Sequence, residues 1–351
     1  MYAVPLDEII AKVSQGPRAS KDLTWGEAKA VMKGVVEGRV TPFQVGALAV
    51  GLRIKVESVT ELAAFASAAR DYLSATPFPD DIGLLDVPTY ARERTIRSML
   101  VPAAIIAVAC DVPVLMHGCE SRGSSWNTGS TLRALGVQAD GHMAVASDMV
   151  RKTGFGYLDI ALFHPPMSRY LDFAEKLGST SFFHPVACLL NPGRAKRHLI
   201  GMSSGQYFDK LGETLRMLGC DHGLVVQGQD GEPELSMIRL LRTFEVNASM
   251  SRPYAMRPAD FALLSGTARD FAIESVQAEA ADIERLLQNE VTGIRTDGAV
   301  LNAATMLYLG GKAATIQEGI PVAREALRSG AAQEAFVKIR DVELSVDNNA
   351  R

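Results

Sequence analysis

Apolar residues in the first 75 positions recur at helical spacing. Val45, Leu48, Ala49 and Leu52 share one helix face, as do Leu62, Phe65, Ala66 and Ala69. Helix starts are marked as well. Thr24-Trp25-Gly26-Glu27 and Ser58-Val59-Thr60-Glu61 are capping boxes, in which hydroxyl and carboxylate each satisfy an orphan backbone N–H. Thr41-Pro42 joins a cap to a first-turn proline, and Gly38 reads as the residue after a helix end. Gly46, Ala47, Ala49 and Gly51 let helix backbones approach closely. A helical block this short has little interior of its own. It is expected to pack on the rest of the chain or on a second subunit.

The pattern changes at Ala75-Thr76-Pro77-Phe78-Pro79-Asp80-Asp81, whose prolines and acids read as a hinge. Beyond it, short apolar runs at 84–87, 114–116, 199–202 and 224–226 read as buried strands. Helix-like runs, including 102–110 and 206–218, lie between them, and the tail is helical with a break at Gly310-Gly311. The expectation is a small N-terminal all-helical domain over 1–75, followed by an α/β domain over 76–351. Its central sheet should be mostly parallel and flanked by helices. Ligands of such sheets sit in loops at the carboxyl ends of the strands.

Composition agrees with a folded chain. Of 351 residues, 47% are hydrophobic and 22% charged, so a sizeable core is expected. The net charge of −4 argues against whole-surface attraction to nucleic acid or anionic membrane, though not against a local basic patch. Cys110, Cys119, Cys188 and Cys220 lie far apart and form no C-x-x-C pair. Cys110 and Cys220 read as small core residues. Neither a signal-peptide pattern nor an apolar run long enough to span a bilayer is visible, and a cytoplasmic location is the expectation.

Three loops invite chemistry. His117-Gly118 ends a strand and leads through Cys119-Glu120-Ser121-Arg122-Gly123-Ser124-Ser125-Trp126-Asn127-Thr128 into a helix over 131–135. Backbone N–H groups there suit an anion, Arg122 adds a clamp, and Ser124, Ser125 and Thr128 add hydroxyls. An ordinary capped, solvated loop is the competing reading. Tyr90 to Arg97 places Arg92, Arg94 and Arg97 after a strand, as phosphate contacts or as a solvated charge run. Asp230, Glu232 and Glu234 read as magnesium ligands or as an acidic turn, with Glu232 and Glu234 on one face of a strand. His164 and His184, each followed by proline, read as structural.

Taken in order, several motifs resemble the anthranilate phosphoribosyltransferase family. They are Val112-Pro113-Val114, His117-Gly118, Ala134-Leu135-Gly136, Gly154-Phe155-Gly156-Tyr157, His164-Pro165-Pro166-Met167, Leu190-Asn191-Pro192, Ile200-Gly201 and Pro258-Ala259-Asp260-Phe261. The resemblance covers most of the chain. It implies a helical domain that includes a later helix over 166–178, dimerisation through that domain, and a phosphorylated ligand between the domains. It also exposes departures. The family's G-T-G-G-D loop is replaced by Asp86-Val87-Pro88-Thr89-Tyr90-Ala91-Arg92, with no glycine and with a proline that lacks a donor. K-H-G-N becomes Met116-His117-Gly118-Cys119, and the arginine that holds the anthranilate carboxylate becomes Thr180. The metal-binding D-E pair becomes Pro233-Glu234, leaving Glu234.

Two readings follow. In the first, the chain is a glycosyltransferase of phosphoribosyltransferase type with an altered donor site, not expected to make phosphoribosyl-anthranilate efficiently. Arg92, Arg94 and Arg122 replace the missing loop, and His117 orients an acceptor. In the second, it is a non-catalytic nucleic-acid-binding homologue. Arg239, Arg242, Arg252 and Arg257 then form a phosphate footprint, unless they pair with acids of the 279–284 helix.

Overall fold

The computed structural model describes residues 5–344, apart from 74–77, 79–81, 91–95, 121–125, 140, 177–180, 204 and 273. The chain opens with helices α1 (Leu6–Val13), α2 (Trp25–Val36), α3 (Pro42–Lys55) and α4 (Val59–Arg70). Their starts are cut where the caps predict. Thr24, Thr41 and Ser58 each accept from the backbone three residues on, and Glu27, Gln44 and Glu61 return the bond. Glu61 does more than cap. Its buried carboxylate also accepts from the Leu23 N–H and the Lys55 ammonium, tying three segments of the bundle together.

The α/β domain follows as β1 (Leu85–Thr89), α5 (Leu100–Ala109), β2 (Val114–Gly118), α6 (Thr128–Ala134), α7 (Met143–Thr153), β3 (Phe155–Asp159), α8 (Ile160–Phe163), α9 (Pro165–Lys176), α10 (Phe183–Cys188), β4 (Arg197–Gly201), α11 (Gly205–Met217) and β5 (His222–Val226). An antiparallel pair, β6 (Leu241–Asn247) and β7 (Met250–Met256), comes next. Helices α12 (Val276–Leu287), α13 (Ile294–Leu309), α14 (Ile316–Arg328) and α15 (Ala331–Arg340) close the described chain. The strands form one sheet in the order β3-β2-β1-β4-β5-β6-β7. The first five are parallel and the last two antiparallel, so the mostly parallel sheet is borne out.

Side chains alternate between two apolar layers, as the pleat requires. Leu85, Val87, Val114, Met116, Leu199 and Leu224 face a core built with α5 and α12 to α15. Leu115, Leu158, Ile200 and Val225 face a second core, and that core is continuous with the helical bundle. Phe65 of α4 packs on Phe182 with ring centres 4.8 Å apart, and Phe182 packs on Phe183 at 4.1 Å. Tyr170 of α9 stacks on Phe183 and donates to the Val35 carbonyl of α2. The bundle therefore borrows its interior from the sheet.

Two elements emerge only in the structure, and one expectation needs correction. The Gly154 to Tyr157 motif leads into a strand, since Phe155–Asp159 pairs beside β2, with only Gly154 in the left-handed region. The arginine-bearing stretch from 239 onward contains the β6–β7 hairpin. Cys110 and Cys220 sit half-buried at helix ends, while Cys119 and Cys188 are the buried thiols. The hinge stretch 75–81 lies outside the described residues except for Phe78, which is buried.

Candidate functional site

A chain of polar side chains crosses the bundle-facing side of the sheet. Asp86 is the second residue of β1, beside His198 of β4 in register. Its Oδ2 lies 3.2 Å from His198 Nδ1, and its Oδ1 lies 3.2 Å from His117 Nε2 on β2. The first contact is a hydrogen bond. The second is too poorly aligned to be one and acts through charge. Tyr90 Oη lies 2.8 Å from His117 Nδ1, and His184 Nε2 donates to the Tyr90 carbonyl at 3.0 Å. Burial pushes the Tyr90 phenol well above its ordinary value, so it stays protonated and donates. His117 Nδ1 is then the acceptor, and its Nε2–H turns toward Asp86.

All of these groups except the half-buried His184 are nearly or wholly shielded from solvent. Burial by itself would raise the Asp86 carboxyl. The electrostatic pull of the His117 Nε2–H edge and the hydrogen bond from His198 outweigh it and hold the carboxyl well below the usual range. His117 thus positions Tyr90 and Asp86 and does not reach a ligand itself. The acceptor-orienting role expected of it does not fit its burial.

The carboxyl ends of three strands align, with Thr89, Gly118 and Asp159 side by side. Gly118 is required there, since a Cβ would stand 2.7 Å from the Thr89 carbonyl and 3.1 Å from Tyr157 Oη. Gly129, in the first turn of α6, is pressed equally hard. A Cβ on it would meet a Glu120 carboxylate oxygen at 2.2 Å. Glu120 lies against that turn and pairs with Arg133. Burial raises both the Glu120 and Asp159 carboxyls despite their hydrogen bonds. Asp159 caps α8 through the Ala161 N–H. Asn127 caps α6, accepting from Ser130 N–H at 2.8 Å, and Thr128 is buried in the first turn.

Of the remaining predicted residues, Arg92, Arg94, Arg122, Ser124, Ser125 and Thr180 lie outside the described residues. Arg97 is buried, donating to the Ala272 carbonyl and pairing with Asp282, so it is no phosphate contact. Glu232 and Glu234 follow a short 3-10 turn (Gln229–Gly231) and belong to no strand. Glu234 accepts from the Ser98 hydroxyl at 2.8 Å and the Met99 N–H at 3.0 Å, and Glu279 accepts from the Ser98 N–H. Both Glu234 oxygens thus hold the start of α5, where a helix favours negative charge. With Pro233 in place of its acidic neighbour, these residues do not fit a magnesium site. Among the described residues no three His, Cys, Asp or Glu side chains gather as metal ligands.

The four arginines of the nucleic-acid reading do not share a face. Arg242 pairs in register with Ala255 and lies over the Phe208 ring on one side of the sheet. Arg252 pairs with Glu245, one position out of phase and so on the other side. Arg239 donates to the Gly228 carbonyl, and the Arg257 N–H is capped by Asp260. Among the described residues, Asp282 of the 276–287 helix pairs with arginine, and its partners are Arg97 and Arg295.

Comparison with known proteins places this geometry. The family described as "Glycosyl transferase family, a/b domain" matches residues 96–333, and "Glycosyl transferase family, helical bundle domain" matches 7–73. The chain is 30% identical over 342 residues to the anthranilate phosphoribosyltransferase of Geobacillus kaustophilus, covering 97% of this chain and 99% of that protein. It is also 30% identical over 342 residues to that of Parvibaculum lavamentivorans, covering 94% and 95%. The crystal structure of the Thermus thermophilus anthranilate phosphoribosyltransferase matches with a TM-score of 0.85 at 28% identity, covering 95% and 98%. The Saccharomyces cerevisiae enzyme, solved in complex with PRPP and Mg, matches with a TM-score of 0.81 over 96% and 97% of the chains. Its identity is 17%, so that likeness concerns the fold alone.

Proposed function

The chain belongs to the glycosyl transferase family that includes anthranilate phosphoribosyltransferase, and from that premise we propose a phosphate or ribose-phosphate ligand at the carboxyl ends of β1 to β3, without efficient synthesis of phosphoribosyl-anthranilate. The observation that carries this reading is the course of β1. A pyrophosphate loop needs consecutive bare N–H groups turned toward the ligand. Here residues 85–89 remain in the sheet, paired with β2 along their whole length. Pro88 has no N–H to offer, and Asp86 and Tyr90 are committed to the histidine network. The first turn of α6 is likewise filled by the protein's own Glu120 carboxylate, which opposes an anion there.

Transfer at a ribose anomeric carbon relies on positioning and on neutralising the leaving group. In this reading Arg92, Arg94 and Arg122 supply that charge, because they follow directly after β1 and β2 in the chain. Each is a forked donor suited to phosphate oxygens. In this reading side chains take the place of a bare main-chain loop. A homodimer through the N-terminal helices belongs to the same proposal. Phe43 (92% exposed), Val50 and Ile54 lie along one side of α3 as an uncovered apolar stripe.

The test is a binding and turnover experiment. Phosphoribosyl diphosphate should stabilise the protein in a thermal-shift titration, with or without magnesium. Anthranilate consumption should run at least about a thousandfold slower than for the Geobacillus relative. Turnover within about tenfold of that relative would overturn the altered-donor reading, and absence of any ligand response would overturn the binding reading.

A further inference from the structure

At the opposite, amino-terminal edge of the sheet lies a cleft of about 710 Å³. It is bounded by the end of α4, the 191–196 loop and the turn from α11 into β5. Its size falls in the range of small-ligand sites, roughly 300–1,000 Å³. Two of its wall groups face it from built positions, Arg70 as a donor and His198 as a ring whose Nε2 donates once the imidazole is charged. Arg70 gives its Nε to the Leu189 carbonyl at 2.9 Å, and among the described residues its terminal nitrogens have no protein partner. His198, 3% exposed, turns Nδ1 onto Asp86, and its Nε2 has no partner among the described residues. Two more cations stand at the rim, on Arg194 and Lys196, both exposed.

The rim is rigid. Asn191 clamps its loop from inside, accepting from Ala195 N–H at 2.7 Å and donating to the Ala195 carbonyl at 2.8 Å. Asn191 and Arg194 both take left-handed backbone conformations to make the turn. Two acids border the cleft. Asp71 is paired with Lys29, and Asp221 is exposed. Three cations and an imidazole against Asp221 and the Asp86 carboxylate behind the wall, whose charge also acts on Arg70, leave the cleft positive. Burial pushes the Cys220 thiol up to about 12, so it brings no negative charge.

We propose that this cleft is an oxyanion site, taking a small phosphate- or carboxylate-bearing metabolite across the joint between the helical bundle and the α/β domain. Arg70 and His198 Nε2 grip the oxyanion, and Arg194 and Lys196 close over it from the rim. The site is coupled to the strand ends through its own wall. An anion on Nε2 favours the charged imidazole, which tightens its hold on Asp86, whose other oxygen faces His117. By linkage, a ligand at either end then alters affinity at the other.

The test uses the full-length protein with inorganic phosphate and, in parallel, citrate as the carboxylate probe. Calorimetry and thermal shift should show saturable binding of at least one, and the tighter of the two identifies the preferred oxyanion. The double charge reversal Arg194→Glu/Lys196→Glu sits on exposed positions and should leave the unliganded melting temperature in place. It should weaken binding at least about tenfold. His198→Gln, provided it folds, should weaken binding by a similar factor while leaving the rim intact. Absence of saturable binding of either ion to the wild type overturns the proposal. Binding that the double reversal leaves unchanged overturns it equally, since the anion is then held elsewhere.

Discussion

Asp86 carries a carboxylate with no access to solvent, between imidazoles from the two neighbouring strands. Its depressed folded-state value means that the native protein binds its proton less readily than the unfolded chain does. The resulting stability is present above the unfolded value, about 3.9, and is lost as pH falls through the lower folded value. Asp86→Asn should therefore cost about 2–4 kcal/mol in urea denaturation at neutral pH, since it removes the charge that faces His117 and His198. The gap from wild type should shrink only below about pH 4. A constant gap down to acid pH would contradict the charge assignment. Glu234 makes a contrasting case. It anchors the first turn of α5, so Glu234→Gln should lower stability by about 1–3 kcal/mol. Magnesium should shift the melting temperature of neither protein.

At the scale of elements, the connection between α3 and α4 docks on α11. Glu57 is fully buried there, accepts from Tyr207 Oη at 2.7 Å, and leaves Oε1 without a hydrogen bond. Lys210 donates to the Glu57 carbonyl. Val56, just before it, holds a positive φ of 66°, a conformation that a β-branched residue adopts only under constraint. Burial raises the Glu57 carboxyl despite the Tyr207 bond. Its folded value lies above its unfolded one, so the native state binds more protons and stability falls as pH rises between the two. Glu57→Gln, which keeps an acceptor for Tyr207, should raise the melting temperature at pH 7. That advantage should vanish below about pH 4. Tyr207→Phe should instead cost about 1–3 kcal/mol by leaving a buried carboxylate without its donor. A neutral Tyr207→Phe would mean that the joint is held by the apolar contacts alone.

At the scale of the whole molecule, one apolar layer serves both the bundle and one face of the sheet, so the two are expected to unfold together. What the bundle leaves uncovered is the α3 stripe. Val50→Glu with Ile54→Glu should turn a dimer into a monomer in sedimentation experiments, weakening association at least about a hundredfold, while the monomer stays folded. A wild type that sediments as a monomer would remove the dimer from the proposal.

The bundle and four of the strands were legible because local physics decides them. Thr24, Thr41 and Ser58 cap where orphan N–H groups demand it, and the runs at 84–87, 114–116, 199–202 and 224–226 are apolar because both faces of a parallel sheet are covered. The strand at 155–159 was hidden by its glycines. The 241–256 hairpin was hidden because Arg242 and Glu245 interrupt the apolar alternation, although the Asn247-Ala248-Ser249 turn was a usable signal.

The polar network was hidden for a deeper reason. Asp86, His117 and His198 are separated by 31 and 81 positions, and only the strand order β2-β1-β4 sets them side by side. The chain by itself determined the elements and the family pattern, because caps, periodicity and motif order are local. Which charges meet, which carboxylates are spent on helix starts, and which end of the sheet opens a positive cleft were decided by tertiary structure. Electrostatic contacts depend on distance through space and on exclusion of water, and sequence separation encodes neither.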